Sequence, residues 1–188
     1  MGKNLYIFDC FGVVISDVST LFMDNRLNAE QIKYMREQVY RKVDTGKMSM
    51  DEMFEILAGL CNLSVEQTKR DWAGCEYVLT DTIEVIKKLK SQGHTVVLLS
   101  NAAVDYVDYL FAKYGLTKYF DGIFVSAQYG FAKPDRELYA LCVDSFKEKF
   151  DAIYFADNNP DNLAGVEQFG ITPVLFTSAC DFARKVGV

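Results

Sequence analysis

The chain has 188 residues, of which half are hydrophobic and 14% are aromatic, so it can bury a sizeable core and is not disordered. Its net charge of −6 and the lack of any basic stretch argue against nucleic acid or an anionic membrane as a partner. A chain of this length predicts one core domain that carries at most a small insertion.

The sequence also shows no recognisable targeting signal and no cysteine spacing typical of disulfides. The five cysteines form no CxxC pair, which predicts a reduced, cytoplasmic protein. The N-terminal apolar run is interrupted by Asp9 and has no small-residue cleavage site, so it is not a signal peptide. No run reaches the roughly 18 apolar residues of a membrane span.

Five short apolar runs predict the strands of a sheet. Each run is rich in β-branched and aromatic residues, which is typical of strands buried on both faces of a parallel sheet. The predicted strands are Leu5–Phe8, Thr95–Leu99, Ile123–Val125, Ile153–Phe155 and Val174–Phe176.

Segments with the apolar spacing of helices lie between these strands. One helix is predicted to end before Gly115, another contains Leu138 and Cys142, and a third runs from Pro160 to a stop at Gly170. Strands that alternate with helices predict an α/β fold with a Rossmann-like, doubly wound parallel sheet.

The segment between the first and second strands is far longer than a simple crossover and is helical throughout. Ile32, Met35, Val39 and Val43 form one apolar stripe, and a second stripe runs from Met53 to Leu60. We therefore predict a small all-helical cap domain at residues 16–77, inserted into an α/β core that consists of residues 1–15 and 78–188.

Polar side chains follow the ends of the predicted strands. Asp9 follows the first strand, Ser100 and Asn101 follow the second, Lys133 follows the third, and an acidic cluster that begins at Asp157 follows the fourth. Because the carboxyl ends of parallel strands meet at one edge of the sheet, these groups are expected to share one crevice. A carboxylate, an ammonium, a hydroxyl and oxygen ligands for Mg²⁺ together suit phosphoryl transfer.

Over essentially its whole length, the chain resembles the haloacid dehalogenase-like hydrolase superfamily. The motifs that carry this resemblance lie at the strand ends. The first motif of that family resembles IFDCFGVV, the second LLSNA, the third FAKPDRELY and the fourth YFADNNPDNLAGVEQFGI. Each motif alone is weakly specific, but the four occur in the family's order with a helical segment between the first and second. The resemblance implies a phosphatase-like fold with a helical cap.

The resemblance also implies roles for individual residues. Asp9 is expected to be the nucleophile, Lys133 to stabilise the aspartyl intermediate, and Ser100 and Asn101 to bind the phosphoryl oxygens. Mg²⁺ is expected to be held by Asp9, by the backbone carbonyl of Phe11, and by two residues of the fourth motif. Those two residues are Asp157 and Asn158, with Asp161 beside them rather than on the metal.

Two positions depart from the phosphatase pattern of the family. Phe11 occupies the place where most of these phosphatases have an aspartate that serves as general acid and base, and Asn158 occupies the place of an aspartate that binds the metal. A metal-independent 2-haloacid dehalogenase, which resembles this chain in having an aromatic residue at the Phe11 position, therefore stays open as an alternative. A weakly active or degenerate relative stays open as well.

Other candidate groups have simpler explanations. No arginine follows Cys10 at the spacing of a cysteine phosphatase, and His94 is the single histidine of the chain. No GxGxxG or GxxxxGK[ST] sequence is present, so dinucleotide and P-loop chemistry find no support. Asp17 is the polar residue after the first motif that we expect to contact substrate. The prediction is a Mg²⁺-dependent phosphomonoester hydrolase that acts on a small phosphorylated metabolite, such as a sugar phosphate.

Overall fold

A computed structural model describes residues 2–147 and 149–188 of the chain. Met1, which belongs to the predicted core segment, and Glu148 lie outside the described residues. Among the described residues, no helix is both long and apolar enough to cross a membrane.

The centre of the structure is a parallel sheet of five strands in the order β3-β2-β1-β4-β5. This sheet confirms the predicted α/β fold. The strands are β1 (Leu5–Phe8), β2 (Thr95–Ser100), β3 (Gly122–Val125), β4 (Ile153–Asp157) and β5 (Ile171–Leu175). The α-helices of the described residues are α1 (Val18–Met23), α2 (Ala29–Tyr34), α3 (Arg41–Asp44), α4 (Met50–Cys61), α5 (Val65–Ala73), α6 (Thr80–Ser91), α7 (Val104–Tyr114), α8 (Arg136–Asp144) and α9 (Ala179–Val186).

Strand β1 separates two apolar layers. Tyr6 and Phe8 face one layer, which includes residues of α6, α7 and α9, and Leu5 and Ile7 face the other layer, which includes residues of α8. This alternation is the period of two that a strand imposes on its side chains. Because every residue of β1 is buried, the strand lies at the centre of the core and fixes the position of the residue that follows it.

Strands β2, β3 and β4 match their predicted bounds to within two residues, and two larger differences occur nearer the C-terminus. Strand β5 begins at Ile171 rather than Val174, because Pro173 is tolerated within this edge strand, where a ladder hydrogen bond can be missing. The segment from Pro160 to Gly170 forms two short 3₁₀ turns, Pro160–Leu163 and Val166–Phe169, instead of one helix. Gly165 between the two turns has a φ of +76°, a left-handed conformation that interrupts helical hydrogen bonding.

The five helices α1 to α5 all lie between β1 and β2. Residues 29–44 form one continuous rod, in which a single π-helical stretch, Met35–Tyr40, joins α2 to α3. The predicted apolar stripe on this rod is largely buried, with Met35, Val39 and Val43 inside and Ile32 at the margin. Helix α4 begins with a capping box formed by Ser49 and Glu52.

The chain enters and leaves this helical insertion at adjacent points. Ile15 forms an antiparallel bridge with Val78, and the backbone N–H of Ser16 donates to the carbonyl of Tyr77 over 2.9 Å. The Ser16 hydroxyl also donates to the carbonyl of Cys75 over 2.6 Å. The paired segments coincide with the predicted limits of residues 16–77, while the division into two domains stays a prediction.

Glu76 connects the insertion to the core beyond these crossings. Its carboxylate, 2% exposed, accepts hydrogen bonds from Lys113 over 2.8 Å and from Tyr106 over 3.0 Å, both on α7. Trp72 of α5 donates through its indole N–H to the same Tyr106 hydroxyl over 2.7 Å. A buried charged network therefore fastens the end of the insertion to α7.

We predict that Glu76→Ala lowers the free energy of unfolding by about 3 kcal/mol, because it removes a buried carboxylate and takes the acceptor from two donors, Tyr106 and Lys113. Urea unfolding followed by the fluorescence of Trp72, the single tryptophan of the chain, measures the change. The control is Glu84→Ala, which removes an exposed partner of Lys87 and should cost less than about 1 kcal/mol. Equal small losses in both variants would show that the Glu76 network contributes no more than a surface pair.

Candidate active site

The register of the sheet brings the predicted residues to one edge. Phe8 of β1 is paired with Leu98 of β2 and with Ala156 of β4. Asp9 therefore follows β1 at the level where Asp157 ends β4, and its backbone N–H donates to the carbonyl of Ala156 over 2.9 Å. The sequence correctly placed these two carboxylates beside each other.

Lys133 lies between the two carboxylates. Its ammonium Nζ is 2.7 Å from Asp9 Oδ1 and 2.8 Å from Asp157 Oδ2, and all three residues are buried. Burial disfavours the ammonium, but the two carboxylates outweigh this effect and raise the pKa of Lys133 above its usual range. The lysine is therefore a permanent cation in contact with Asp9.

The environment of Asp9 acts in both directions on its acidity. Burial and the nearby charge of Asp157 raise the pKa of Asp9 above its usual range, and Lys133 and the backbone N–H of Cys10, which favour the charged form, offset only part of this rise. Among the described residues, Lys133 is the single side chain that hydrogen-bonds to this carboxylate. The second carboxylate oxygen is therefore not held by any side chain.

Asn101 fixes the backbone of Lys133. The Asn101 side chain donates through Nδ2 to the carbonyl of Lys133 over 2.9 Å and accepts the Lys133 backbone N–H over 2.8 Å. The side-chain amide of Asn101 thus pairs with the Lys133 backbone as a neighbouring strand would, with one donor and one acceptor. The amide that we expected at the phosphoryl oxygens thus positions the lysine loop, with one N–H of Nδ2 left over.

Ser100, the last residue of β2, differs from the other polar groups of the site. Its hydroxyl is completely buried and has no hydrogen-bond partner in the part of the chain that the structure describes. The nearby thiol of Cys10 is too weak a partner to satisfy the hydroxyl. An unsatisfied buried hydroxyl costs free energy, and a ligand oxygen at this edge would offset that cost.

Asp157 is held firmly by its neighbours. Its Oδ1 accepts the backbone N–H of Asn159 over 2.8 Å, and its Oδ2 accepts the side chain of Asn162 over 3.0 Å in addition to Lys133. Sequence analysis did not single out Asn162, which is buried and whose carbonyl accepts a hydrogen bond from the Tyr139 hydroxyl over 2.7 Å. These contacts fix the orientation of the Asp157 carboxylate.

Asn158, a predicted metal ligand, and Asp161, which is predicted to lie beside the metal, are at the surface of the same edge. Asn158 is exposed, and a Cβ on Gly12 would come within 2.3 Å of Asn158 Nδ2, so glycine at that position lets the amide approach the loop after β1. Gly12 has a φ of +81°, which also favours glycine. Asp161 is exposed, and its backbone N–H donates to the Asn159 side chain over 3.0 Å.

The donor set fits a magnesium ion better than a softer metal. No group of three or more His, Cys, Asp or Glu side chains suited to a metal occurs in residues 2–147 and 149–188. Mg²⁺, however, binds proteins through one or two carboxylates and keeps its other positions for water and substrate phosphate. Asp9 and Asp157, with the Asn158 amide and the Phe11 carbonyl, provide oxygen atoms of this kind.

Two cavities meet at this edge, between the sheet and the helical insertion. The first is a pocket of about 170 Å³ with mostly apolar walls, and Phe11 stacks there on Tyr106 with ring centroids 5.8 Å apart. Its walls include Val18, Met50, Met53, Trp72 and Tyr106. The second is a polar cleft lined by Asp9, Asp17, Arg36, Arg41, Asp44, Asn101, Lys133, Asn158 and Asp161, among others.

Asp17 and Asp44 enter the cleft from the insertion, and their surroundings differ. Asp17 caps α1, because its carboxylate accepts the backbone N–H of Thr20 and the hydroxyl of Ser19, each over 3.1 Å. Asp44 ends α3 and lines both cavities. The sequence analysis missed Asp44, because no motif marks it and a residue one position after Val43 lies about 100° around the helix from the predicted apolar stripe.

The remaining sequence candidates are not part of the cleft. Burial raises the pKa of the Cys10 thiol, and the nearby charge of Asp9 adds to the effect, so this cysteine is a poor nucleophile. His94 accepts the backbone N–H of Asn4 over 3.2 Å just before β2, at the opposite end of the strands.

Comparison with known proteins gives a consistent result. Residues 3–170 match the family model for a haloacid dehalogenase-like hydrolase. The chain is 27% identical over 209 residues to D-ribitol-5-phosphate phosphatase of Bacteroides thetaiotaomicron, with 100% of this chain and 98% of that protein covered. It is 23% identical over 177 residues to a sesquiterpene phosphatase of Aspergillus oryzae, with 92% and 89% covered.

A solved structure shows the same fold. A HAD family enzyme of Bacteroides thetaiotaomicron, in complex with magnesium and inorganic phosphate, superposes with a TM-score of 0.70 at 19% identity over 93% of both chains.

The orphaned hydroxyl of Ser100 predicts an unusual effect on stability. Ser100→Ala should raise the free energy of unfolding by about 1 kcal/mol, because it removes a buried group that has no partner. Ser126→Ala is the matched control, since the equally buried Ser126 hydroxyl bonds both the N–H and the carbonyl of Ala102. We expect a loss of about 1 kcal/mol there. Urea unfolding measures both changes, and a similar loss in the two variants would contradict the assignment of Ser100 as unsatisfied.

Proposed function

Because the chain belongs to the haloacid dehalogenase-like hydrolase family and is therefore a hydrolase, we propose that it is a Mg²⁺-dependent phosphomonoester hydrolase. Its substrate is a small phosphorylated metabolite, and the reaction passes through an aspartyl-phosphate at Asp9. The observation that carries the proposal is the buried contact of Lys133 with both Asp9 and Asp157, at 2.7 and 2.8 Å.

The contact explains how Asp9 can act as a nucleophile in a buried position. Lys133 favours the ionised carboxylate, and the Asp9 oxygen that no side chain holds is available to attack phosphorus. The same ammonium offsets negative charge on the phosphoryl group as the bond to Asp9 forms. Because Asn101 and Asn162 fix Lys133 and Asp157, little reorganisation is needed during the reaction.

The phosphoryl oxygens accept hydrogen bonds from donors at the end of β2. We assign the remaining N–H of Asn101, which lines the cleft, and the unsatisfied Ser100 hydroxyl at the end of β2 as donors to these oxygens. Mg²⁺ held by Asp9, the Phe11 carbonyl, Asp157 and Asn158, with Asp161 beside them, would add positive charge near the same oxygens. The names of both relatives, a ribitol-phosphate phosphatase and a sesquiterpene phosphatase, support a phosphate ester as substrate.

The insertion sets the size of the substrate. We assign residues 16–77 as a cap over the core formed by residues 1–15 and 78–188, where it excludes water from the nucleophile. The pocket beside Phe11, at about 170 Å³, accepts a small organic group such as the carbon chain of a sugar or polyol phosphate.

All five cysteines are free, which supports a reducing compartment such as the cytoplasm.

Phe11 supports a second candidate, the metal-independent displacement of halide from a 2-haloacid. A halide leaves without a proton, so an apolar residue at this position is no handicap to that reaction. The free oxygen of Asp9 could attack carbon in the same geometry. The metal requirement separates the two reactions.

We predict that the purified protein hydrolyses p-nitrophenyl phosphate, that EDTA abolishes the activity, and that added Mg²⁺ restores it. Asp9→Asn should lower the rate by at least about 10³-fold, because the amide cannot form the phosphoryl ester. Phosphate release measures the rate, and circular dichroism verifies folding. Asp81→Asn, a change on an exposed residue of α6, is the control and should retain full activity.

Three results would contradict this proposal. Halide release from a 2-haloacid without metal would identify a dehalogenase instead. Full activity of Asp9→Asn would exclude this residue as the nucleophile. A folded protein with neither activity would be a degenerate member of the family.

A further inference from the structure

This inference rests on the proposed function and concerns the proton that an alkyl phosphate requires. When the P–O bond breaks, the departing alkoxide oxygen must gain a proton, and a positioned acid contributes about 10²–10⁴-fold to the rate. Phe11 lies beside the nucleophile and has no proton to give. The proton donor must therefore be another group of the cleft.

Most polar groups of the cleft are already engaged. Lys133 holds two carboxylates, and losing its proton would leave those charges buried without a partner. Asp17 accepts two hydrogen bonds as the cap of α1, and the Tyr40 hydroxyl donates to Met23 Sδ over 3.2 Å. Asp161 is exposed at the outer rim of the cleft.

Asp44 has the location that the chemistry requires. It lines the polar cleft that contains Asp9 and Lys133, and it also lines the apolar pocket that contains Phe11. A substrate with its phosphoryl group at Asp9 and its organic group in the pocket places the ester oxygen at the junction of the two cavities. The Asp44 side chain lies at that junction and makes no hydrogen bond or ion pair with any described residue.

The charges around Asp44 come from several elements. Burial raises its pKa to about 7, Lys133 and Arg41 act to lower it, and Asp9 raises it. The cleft also contains Arg36 and Asp17, both from the insertion, and Asp161. Both protonation states of this carboxyl group are thus accessible near neutral pH.

We propose that Asp44, which the helical insertion contributes, is the general acid and base of the reaction. As Asp9 attacks phosphorus, the ester P–O bond breaks, and the departing oxygen takes the proton of the Asp44 carboxyl group to give the free alcohol. Asp44, now a carboxylate, accepts a proton from a water molecule. The resulting hydroxide attacks phosphorus, the bond to Asp9 breaks, inorganic phosphate leaves, and Asp44 is protonated as at the start.

The experiment compares Asp44→Asn with the wild-type protein on two substrates that differ in their need for a proton. The parameter kcat/KM reports the first chemical step, in which the alcohol leaves. With butyl phosphate, whose alkoxide needs the proton, kcat/KM should fall by about 10²–10⁴-fold. With p-nitrophenyl phosphate, whose phenolate leaves without a proton, it should fall by less than about tenfold.

The second half of the proposal has its own readout. With p-nitrophenyl phosphate, Asp44→Asn should release one equivalent of nitrophenolate per enzyme in a rapid burst, followed by slow turnover, because hydrolysis of the aspartyl-phosphate lacks its base. Asp51→Asn is the matched control on the same insertion. Its carboxylate is exposed and pairs with Lys69, so neither substrate should be affected.

The outcomes distinguish a failure of the Asp44 proposal from a failure of the proposed function. An equal fall in kcat/KM on both substrates would show that Asp44 binds or positions the substrate. No fall on either substrate would show that Asp44 is not needed. Both results overturn the inference. Slow turnover without a burst overturns the role of Asp44 as base. If the wild-type protein hydrolyses neither ester, the proposed function itself fails and the inference fails with it.

Discussion

The buried ammonium of Lys133 between Asp9 and Asp157 is the interaction on which the geometry of this edge depends. Two buried carboxylates that contact the same ammonium would not both stay ionised if that cation were removed. Removing one partner of such a buried arrangement costs about 3–5 kcal/mol, because a charge is left uncompensated. The reciprocal hydrogen bonds of Asn101 and the donors around Asp157 hold the three groups in place.

The sheet explains why residues far apart in the chain meet here. Strand β1 is flanked by β2 and β4, so the residue after β1 lies next to the ends of both neighbours. The sequence contained this information, because Asp9, Ser100 and Asp157 each end a recognisable apolar run and parallel strands share one edge. The partners of Lys133 could be inferred in the same way, although the distances could not.

Other features could not be inferred from local sequence. A proline usually indicates that a segment is not a strand, and Pro173 is tolerated because its strand lies at the edge of the sheet, which local sequence does not reveal. The break at Gly165 depends on a left-handed backbone that helical spacing does not reveal. Asp44 reaches the cleft because the rod of residues 29–44 lies against the strand ends, and neither a motif nor the apolar stripe marks this residue in the sequence.

The order of the strands has a consequence for the synthesis of the chain. Strand β1 leaves the ribosome before its ladder partners, which begin at Thr95 and Ile153, so the nascent peptide cannot complete the middle of its sheet until β4 has been translated. Pairings so distant in sequence slow folding, since long loops must close before any contact is gained. Until then the four apolar residues of β1 lack both ladder partners, which favours binding by chaperones that recognise extended hydrophobic peptides.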